Sequence, residues 1–136
     1  MKPIVSLCVA FLFFVGAAHA AESGGAPAAG PAYKNVGVEQ FDQLRANTNN
    51  VVLDVRTKKE FNAGHIPGAV NIDWNSPDFD RQIRALDRDK TYLVHCAVGG
   101  RSAKACQAMG ALKFTHCYNL QEGIKAWEKA GKPIQK

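Results

Sequence analysis

Two short runs constrain this chain more than any other feature: Val51-Val52-Leu53-Asp54-Val55 and Thr91-Tyr92-Leu93-Val94-His95. Both are rich in β-branched or aromatic residues and nearly continuous in apolar character, without the alternation of a half-exposed strand. Such strands are covered on both faces, as in parallel sheets with helices on each side. Parallel neighbours need crossover connections, and helical periodicity between the runs supplies them. Val38, Phe41 and Leu44 predict a helix over Val38–Ala46, and Thr57-Lys58-Lys59-Glu60 has the form of a capping box opening a helical turn. Ala69–Asp73 reads as another strand. Ser76-Pro77 reads as an N-cap with proline at the first helical position, before an inward face of Phe79, Ile83 and Leu86. A helix carrying Ala105, Cys106, Met109 and Leu112, a strand at His116–Leu120 and a helix at Glu122–Ala130 complete the order. Alternating strands and helices predict an α/β layer with a mostly parallel sheet, whose functional residues lie at the carboxyl ends of the strands.

The N-terminus has a different character. Lys2 is followed by a mostly apolar stretch, Ile4–Val15, and Ala18-His19-Ala20 offers the small residues a signal peptidase accepts. The apolar stretch is shorter than the roughly 18 residues a membrane span needs, so residues 1–20 are expected to be a cleaved signal rather than an anchor. Residues 21–32 (AESGGAPAAGPA) have linker composition, which leaves 33–136 as one folded domain. A periplasmic or secreted location, with no membrane association after cleavage, is the expectation.

Charge narrows the partners. Lys and Arg number 17 against 12 Asp and Glu, and loss of Lys2 with the signal leaves the balance positive. The basic residues are interspersed with acids and never run longer than two, so no nucleic-acid partner is expected, and small anions suit the net charge better. Cys8 would leave with the signal, so Cys96, Cys106 and Cys117 remain. An odd count in an exported chain points to a free thiol or an intermolecular bridge. No Cys-x-x-Cys occurs and no metal site is expected.

Cys96 falls where the sheet topology puts chemistry, between a buried strand and a helix start, in Cys96-Ala97-Val98-Gly99-Gly100-Arg101-Ser102. Two glycines let the backbone curl so that several N–H groups point inward, the helix adds its positive end, and Arg101 adds a cation. All three favour the thiolate, which makes Cys96 a candidate nucleophile. His95 precedes it, but side chains alternate along a strand, so His95 is expected to point away. Cys106 and Cys117 are expected to be small core residues, with a disulfide between them as the alternative.

These motifs resemble the rhodanese (thiosulfate sulfurtransferase) family. The likeness rests on Cys96-x-x-Gly99-x-Arg101-Ser102, on Leu53-Asp54-Val55-Arg56, on Glu60-Phe61 with Gly64-His65-Ile66-Pro67-Gly68-Ala69, and on Tyr118-Asn119-Leu120 with Gly123-Ile124 and Trp127. It runs from about Val36 to Pro133. The resemblance implies a rhodanese-like fold, a five-stranded sheet flanked by helices, working as a monomer without metal or organic cofactor. It further implies that Cys96 takes a sulfane sulfur from thiosulfate or a related donor as a persulfide and passes it to cyanide or a thiol. Backbone groups of Ala97, Val98, Gly99, Gly100 and Arg101 would hold the substrate. Asp54, Arg56 and Ser102 would support the loop from behind, Asp54 and Arg56 through buried polar contacts; a pair between Arg56 and Glu60 is a further expectation, although the cap already explains Glu60, and His65 would serve a structural turn.

Two other readings compete. A phosphatase or arsenate reductase also uses a cysteine thiolate in an anion loop, but its arginine follows after five residues, and here that position is Ser102. A persulfide carrier or binding module for a protein partner would use the same cysteine. Ala97 and Val98 make the loop poor in cations, which leaves the donor open between thiosulfate, a persulfide, a polysulfide and a thiosulfonate.

Overall fold

The computed structural model describes residues 32–136. The expected signal, residues 1–20, and the linker up to residue 31 lie outside that range. The chain runs β1 (Lys34–Val36), α1 (Val38–Arg45), β2 (Val51–Asp54), α2 (Lys58–Ala63), β3 (Val70–Asn71) and α3 (Phe79–Arg84). It continues through β4 (Tyr92–His95), α4 (Gly100–Ala111), β5 (Cys117–Leu120) and α5 (Gly123–Lys129). The five strands form one sheet in the order β1-β5-β4-β2-β3, and every pairing is parallel.

The two-sided burial read from the strands is what the packing shows. On one face Leu53, Val55, Tyr92, Val94 and Cys117 meet Phe79 and Ile83 of α3 and Ala105, Cys106 and Met109 of α4. On the other, Val52, Leu93 and Leu120 meet Phe41 of α1 and Ile124 and Trp127 of α5. Consecutive residues of β2 and β4 therefore feed opposite cores. Leu53, Leu93, Val94, Leu120 and Trp127 are completely buried, each such side chain contributing about 1.5–3 kcal/mol over its exposed state.

Several elements differ from the sequence reading. Strand β1 has too few residues to display a period, and it exists because Lys34, Asn35 and Val36 register against Tyr118, Asn119 and Leu120. Helix α3 starts later than Ser76-Pro77 suggests. Ser76 accepts the Asp78 N–H through its hydroxyl at 3.2 Å, forming a turn, and Asp78 is the residue before the helix. The capping box at Thr57 and Glu60 is present in both directions. Cys106 and Cys117 are buried free thiols in the same core cluster, so the alternative of a disulfide between them is not what the structure holds.

Candidate active site

The carboxyl end of β4 delivers Cys96 into the turn before α4. Gly99, at φ 100°, is the residue that caps the helix, so α4 begins at Gly100 and already contains Arg101 and Ser102. The turn is closed from behind by the first turn of α5. Ile124 N–H donates to the Cys96 carbonyl at 2.9 Å and Lys125 N–H to the Ala97 carbonyl at 3.2 Å. With those carbonyls drawn toward α5, the following N–H groups turn toward the sulfur. Two glycines make this approach possible: a Cβ on Gly99 would run into the Gln121 carbonyl, and one on Gly123 into the Ala97 carbonyl.

Cys96 Sγ accepts the Gly99 N–H at 3.1 Å, and the Ser102 hydroxyl stands 3.4 Å from it and 3.2 Å from the Gly99 carbonyl. Burial pushes the Cys96 thiol up, but it is outweighed by hydrogen bonds from the Ser102 side chain and from the backbone of Ser102, Val98 and Gly99. The net direction is down, toward the thiolate. Burial alone governs the opposite direction at Cys117, pushed up to about 11, and dominates at Cys106, which is also raised. Among the three thiols of the described residues, Cys96 is thus set apart by its partners, not by its exposure, since it is itself only 1% exposed.

Arg101 turns to α2 and forms a two-point ion pair with Glu60, Nη1 to Oε2 and Nη2 to Oε1, both at 2.9 Å. Glu60 holds Arg101 protonated, with a smaller contribution from the nearby Cys96 sulfur. In return Arg101, against the opposing effect of burial and together with Thr57, takes Glu60 down to about 2. The guanidinium is therefore a strut between α2 and α4 whose charge is already matched. Val98, between Cys96 and Gly99, is 62% exposed and gives the loop an apolar outer surface.

Asp54 and Arg56 are placed one step further away. Arg56 donates to both Asp54 oxygens through its side chain, with Nη2 to Oδ2 at 2.7 Å, and also reaches the Gly64 carbonyl at 2.7 Å. Asn71 holds the same turn, its amide donating to the carbonyls of Asp54 at 3.0 Å and Arg56 at 2.8 Å. Arg56 does not pair with Glu60, because its fork is filled by Asp54 and Glu60 by Arg101. This cluster ties the end of β2 to the turn after α2 and lies beside His95, whose Nε2 stands 3.6 Å from Asp54 Oδ2. His65 packs its ring on Phe61, with centroids 3.8 Å apart, and its Nδ1 lies 3.0 Å from the Phe61 carbonyl.

The structure thus gathers Ala97, Val98, Gly99, Gly100, Arg101 and Ser102 around Cys96 and sets Asp54 and Arg56 behind the strand. Three contributors escape a reading of sequence alone. Glu60 is explained locally by its cap, so its second partner, 41 positions away, leaves no local mark. Gly123 looks like a helix start, and Asn71 like an edge-strand residue. Among the described residues no group of three or more His, Cys, Asp or Glu side chains is placed to hold a metal ion. Two surface hollows of about 420 and 510 Å³ lie elsewhere, one lined by Tyr33, Lys113 and His116, the other by Gly37, Glu122 and Lys129.

Residues 37–130, which include this turn, match the family model of the rhodanese-like domain. The chain belongs to that family. It is 32% identical to thiosulfate sulfurtransferase GlpE of Shewanella oneidensis, over 72% of this chain and 95% of that protein. Thiosulfate sulfurtransferase GlpE of Pseudomonas putida (strain KT2440) is 35% identical, over 70% and 84% respectively. Among solved structures, the rhodanese-related protein of Thermoplasma volcanium superposes with a TM-score of 0.66 at 30% identity, covering 76% of this chain and 98% of that one. The rhodanese-like fold expected from the motifs is therefore the observed one, with a sheet that is parallel throughout.

Proposed function

We propose that this rhodanese-like protein is a sulfurtransferase that carries sulfane sulfur as a persulfide on Cys96. The observation that supports this most directly is the Cys96 sulfur itself, which receives the Gly99 N–H and faces the Ser102 hydroxyl at the start of α4. In the first half-reaction the Cys96 thiolate attacks the outer sulfur of thiosulfate. The new S–S bond forms as the old one breaks, and sulfite leaves with the bonding pair. The terminal sulfur of the persulfide then carries the negative charge, where the same N–H groups and the positive end of α4 stabilise it. In the second half-reaction cyanide or a thiolate attacks that terminal sulfur, giving thiocyanate or a new persulfide and restoring the Cys96 thiolate. The two halves alternate at one site, which gives ping-pong kinetics.

Donors with less charge than thiosulfate, such as a low-molecular-weight persulfide, have a specific observation in their favour. Arg101 lies near the Cys96 sulfur but its charge is matched by Glu60, and Val98 is exposed, so the loop meets a dianion with backbone N–H groups, an apolar side chain and a guanidinium that is already paired. The same strut weighs against phosphate ester or arsenate chemistry, in which the arginine of the loop must grip the oxyanion.

The experiment is mass spectrometry of the purified protein after incubation with thiosulfate or glutathione persulfide. One added sulfur, about 32 Da, mapped to Cys96 and discharged by cyanide is the expected result. Cys96→Ser should take up none and should form no thiocyanate. Turnover by Cys96→Ser would sink the reading.

A further inference from the structure

His95 stands immediately before Cys96, yet its ring is directed to the other side of the sheet. It is completely buried, edge-on to Phe41 of α1 with centroids 6.2 Å apart. Both ring nitrogens face acceptors. Nδ1 lies 3.3 Å from the Cys96 carbonyl, and Nε2 lies 3.6 Å from Asp54 Oδ2, across the register pair that joins β2 and β4. A neutral imidazole has one proton to give, so one of these contacts goes without.

The geometry decides between them. Asp54 is already satisfied: Oδ1 accepts the Arg56 backbone N–H and Nε, and Oδ2 accepts Nε and Nη2. The approach of Nε2 is also beyond hydrogen-bond distance, and Nε2 has no partner. The Cys96 carbonyl holds a single other donor, the Ile124 N–H. We infer that His95 is a positioning residue for the reacting cysteine, its Nδ1–H donating to the Cys96 carbonyl from the face of the sheet opposite the sulfur. Together with Ile124 it fixes the plane of the Cys96–Ala97 peptide. That plane sets where the next N–H groups point, and these are the groups that meet the sulfur. The charged and titratable groups around the ring are Asp54 at the end of β2, Arg56 just after it, His65 from the turn after α2, and Cys96, the next residue in the chain; from α1 the ring meets Phe41. Burial favours the neutral imidazole by lowering the ring's hold on a second proton, against the pull of Asp54.

The inference rests on Cys96 being the sulfur-carrying thiol, but its test does not depend on turnover. Long-range nitrogen-15 NMR of the histidine rings in the native protein should show His95 protonated at Nδ1 and bare at Nε2 near neutral pH. A proton at Nε2 overturns the inference without any mutation. Two variants then separate position from packing. In His95→Asn the amide nitrogen falls near Nδ1, and in His95→Gln it falls near Nε2. His95→Gln should lower kcat/KM about tenfold and move the midpoint of Cys96 alkylation upward by about one pH unit, whereas His95→Asn should stay within about threefold of the native protein. Equal behaviour of the two variants, once thermal melts show both folded, also overturns it; if neither folds, the native-state NMR decides. Absence of sulfur transfer in the native protein would count against the proposed function, while the ring proton and the alkylation midpoint would still judge His95.

Discussion

Arg101 and Glu60 meet through two hydrogen bonds of 2.9 Å, and this pair joins the helix that follows the cysteine loop to the capping box of α2. Glu60 Oε2 also accepts the Thr57 N–H at 3.0 Å and the Thr57 hydroxyl at 2.9 Å. One carboxylate thus caps a helix and braces the loop, and the two roles can be separated by substitution.

Glu60→Gln preserves a capping side chain and removes the charge, whereas Glu60→Ala removes both. The ion pair is partly open to solvent, Glu60 being 36% exposed and Arg101 27%, so its own share should stay below about 1 kcal/mol. Loss of the cap should cost about 1 kcal/mol more in the alanine variant, a further fall of about 4–8 °C in Tm. The Glu60 carboxyl is lowered from its ordinary 4.5 to about 2 in the folded protein, first by the Arg101 hydrogen bond, with burial opposing and Thr57 assisting. The unfolded chain therefore binds more protons between those values, so this stabilisation is complete above pH 4.5 and is lost as pH falls toward 2. Denaturant melts across that window should show a shallower pH slope for Glu60→Gln than for the native protein.

The three thiols among the described residues should respond to alkylation in a fixed order. Cys96 is displaced toward the thiolate, Cys117 sits at about 11, and Cys106 is raised further by burial and its sulfur neighbours. Near neutral pH, iodoacetamide should label Cys96 alone among the cysteines of the folded domain, with Cys106 and Cys117 reacting only after denaturation, as peptide mapping would read. Since Cys96 is 1% exposed, a bulky maleimide should react far more slowly than iodoacetamide. Labelling of Cys106 in the folded protein would contradict the packing of α4.

Glycines in and behind the loop should differ sharply in tolerance. Gly123→Ala places a methyl group against the Ala97 carbonyl at a φ of 69°, and should cost upwards of about 2 kcal/mol and most of the activity. Gly100→Ala meets open space at the first helical residue of α4, and should leave Tm unchanged or raise it by the equivalent of about 0.4–1 kcal/mol. Thermal melts with steady-state kinetics on both variants check the contrast.

Val98→Lys should tune donor preference. It adds a cation to an exposed loop position and leaves the backbone N–H groups in place. KM for thiosulfate should fall several-fold, and the change should fade with added salt, because exposed charges are screened over about 10 Å at 0.1 M. An unchanged KM would show that the donor is gripped elsewhere.

Much of this protein is written locally. Continuous apolar runs at β2 and β4 require cover on both faces, which already means a parallel sheet between helices. The Thr57–Glu60 cap, the outward turn of His95 from Cys96 and the placement of Cys96 at a strand end follow from period and spacing, because those quantities concern residues near one another in the chain. Tertiary structure decided the rest, where a residue's partner lies far away. Strand β1 is created by β5, Arg101 is matched by a carboxylate that the cap already explained, and the loop carbonyls are held by Ile124 and Lys125 from the last helix. The Cys96 sulfur owes its state to this second group. Burial by itself would raise all three thiols, and only the folded turn brings the N–H groups and the Ser102 hydroxyl that reverse that effect at one of them.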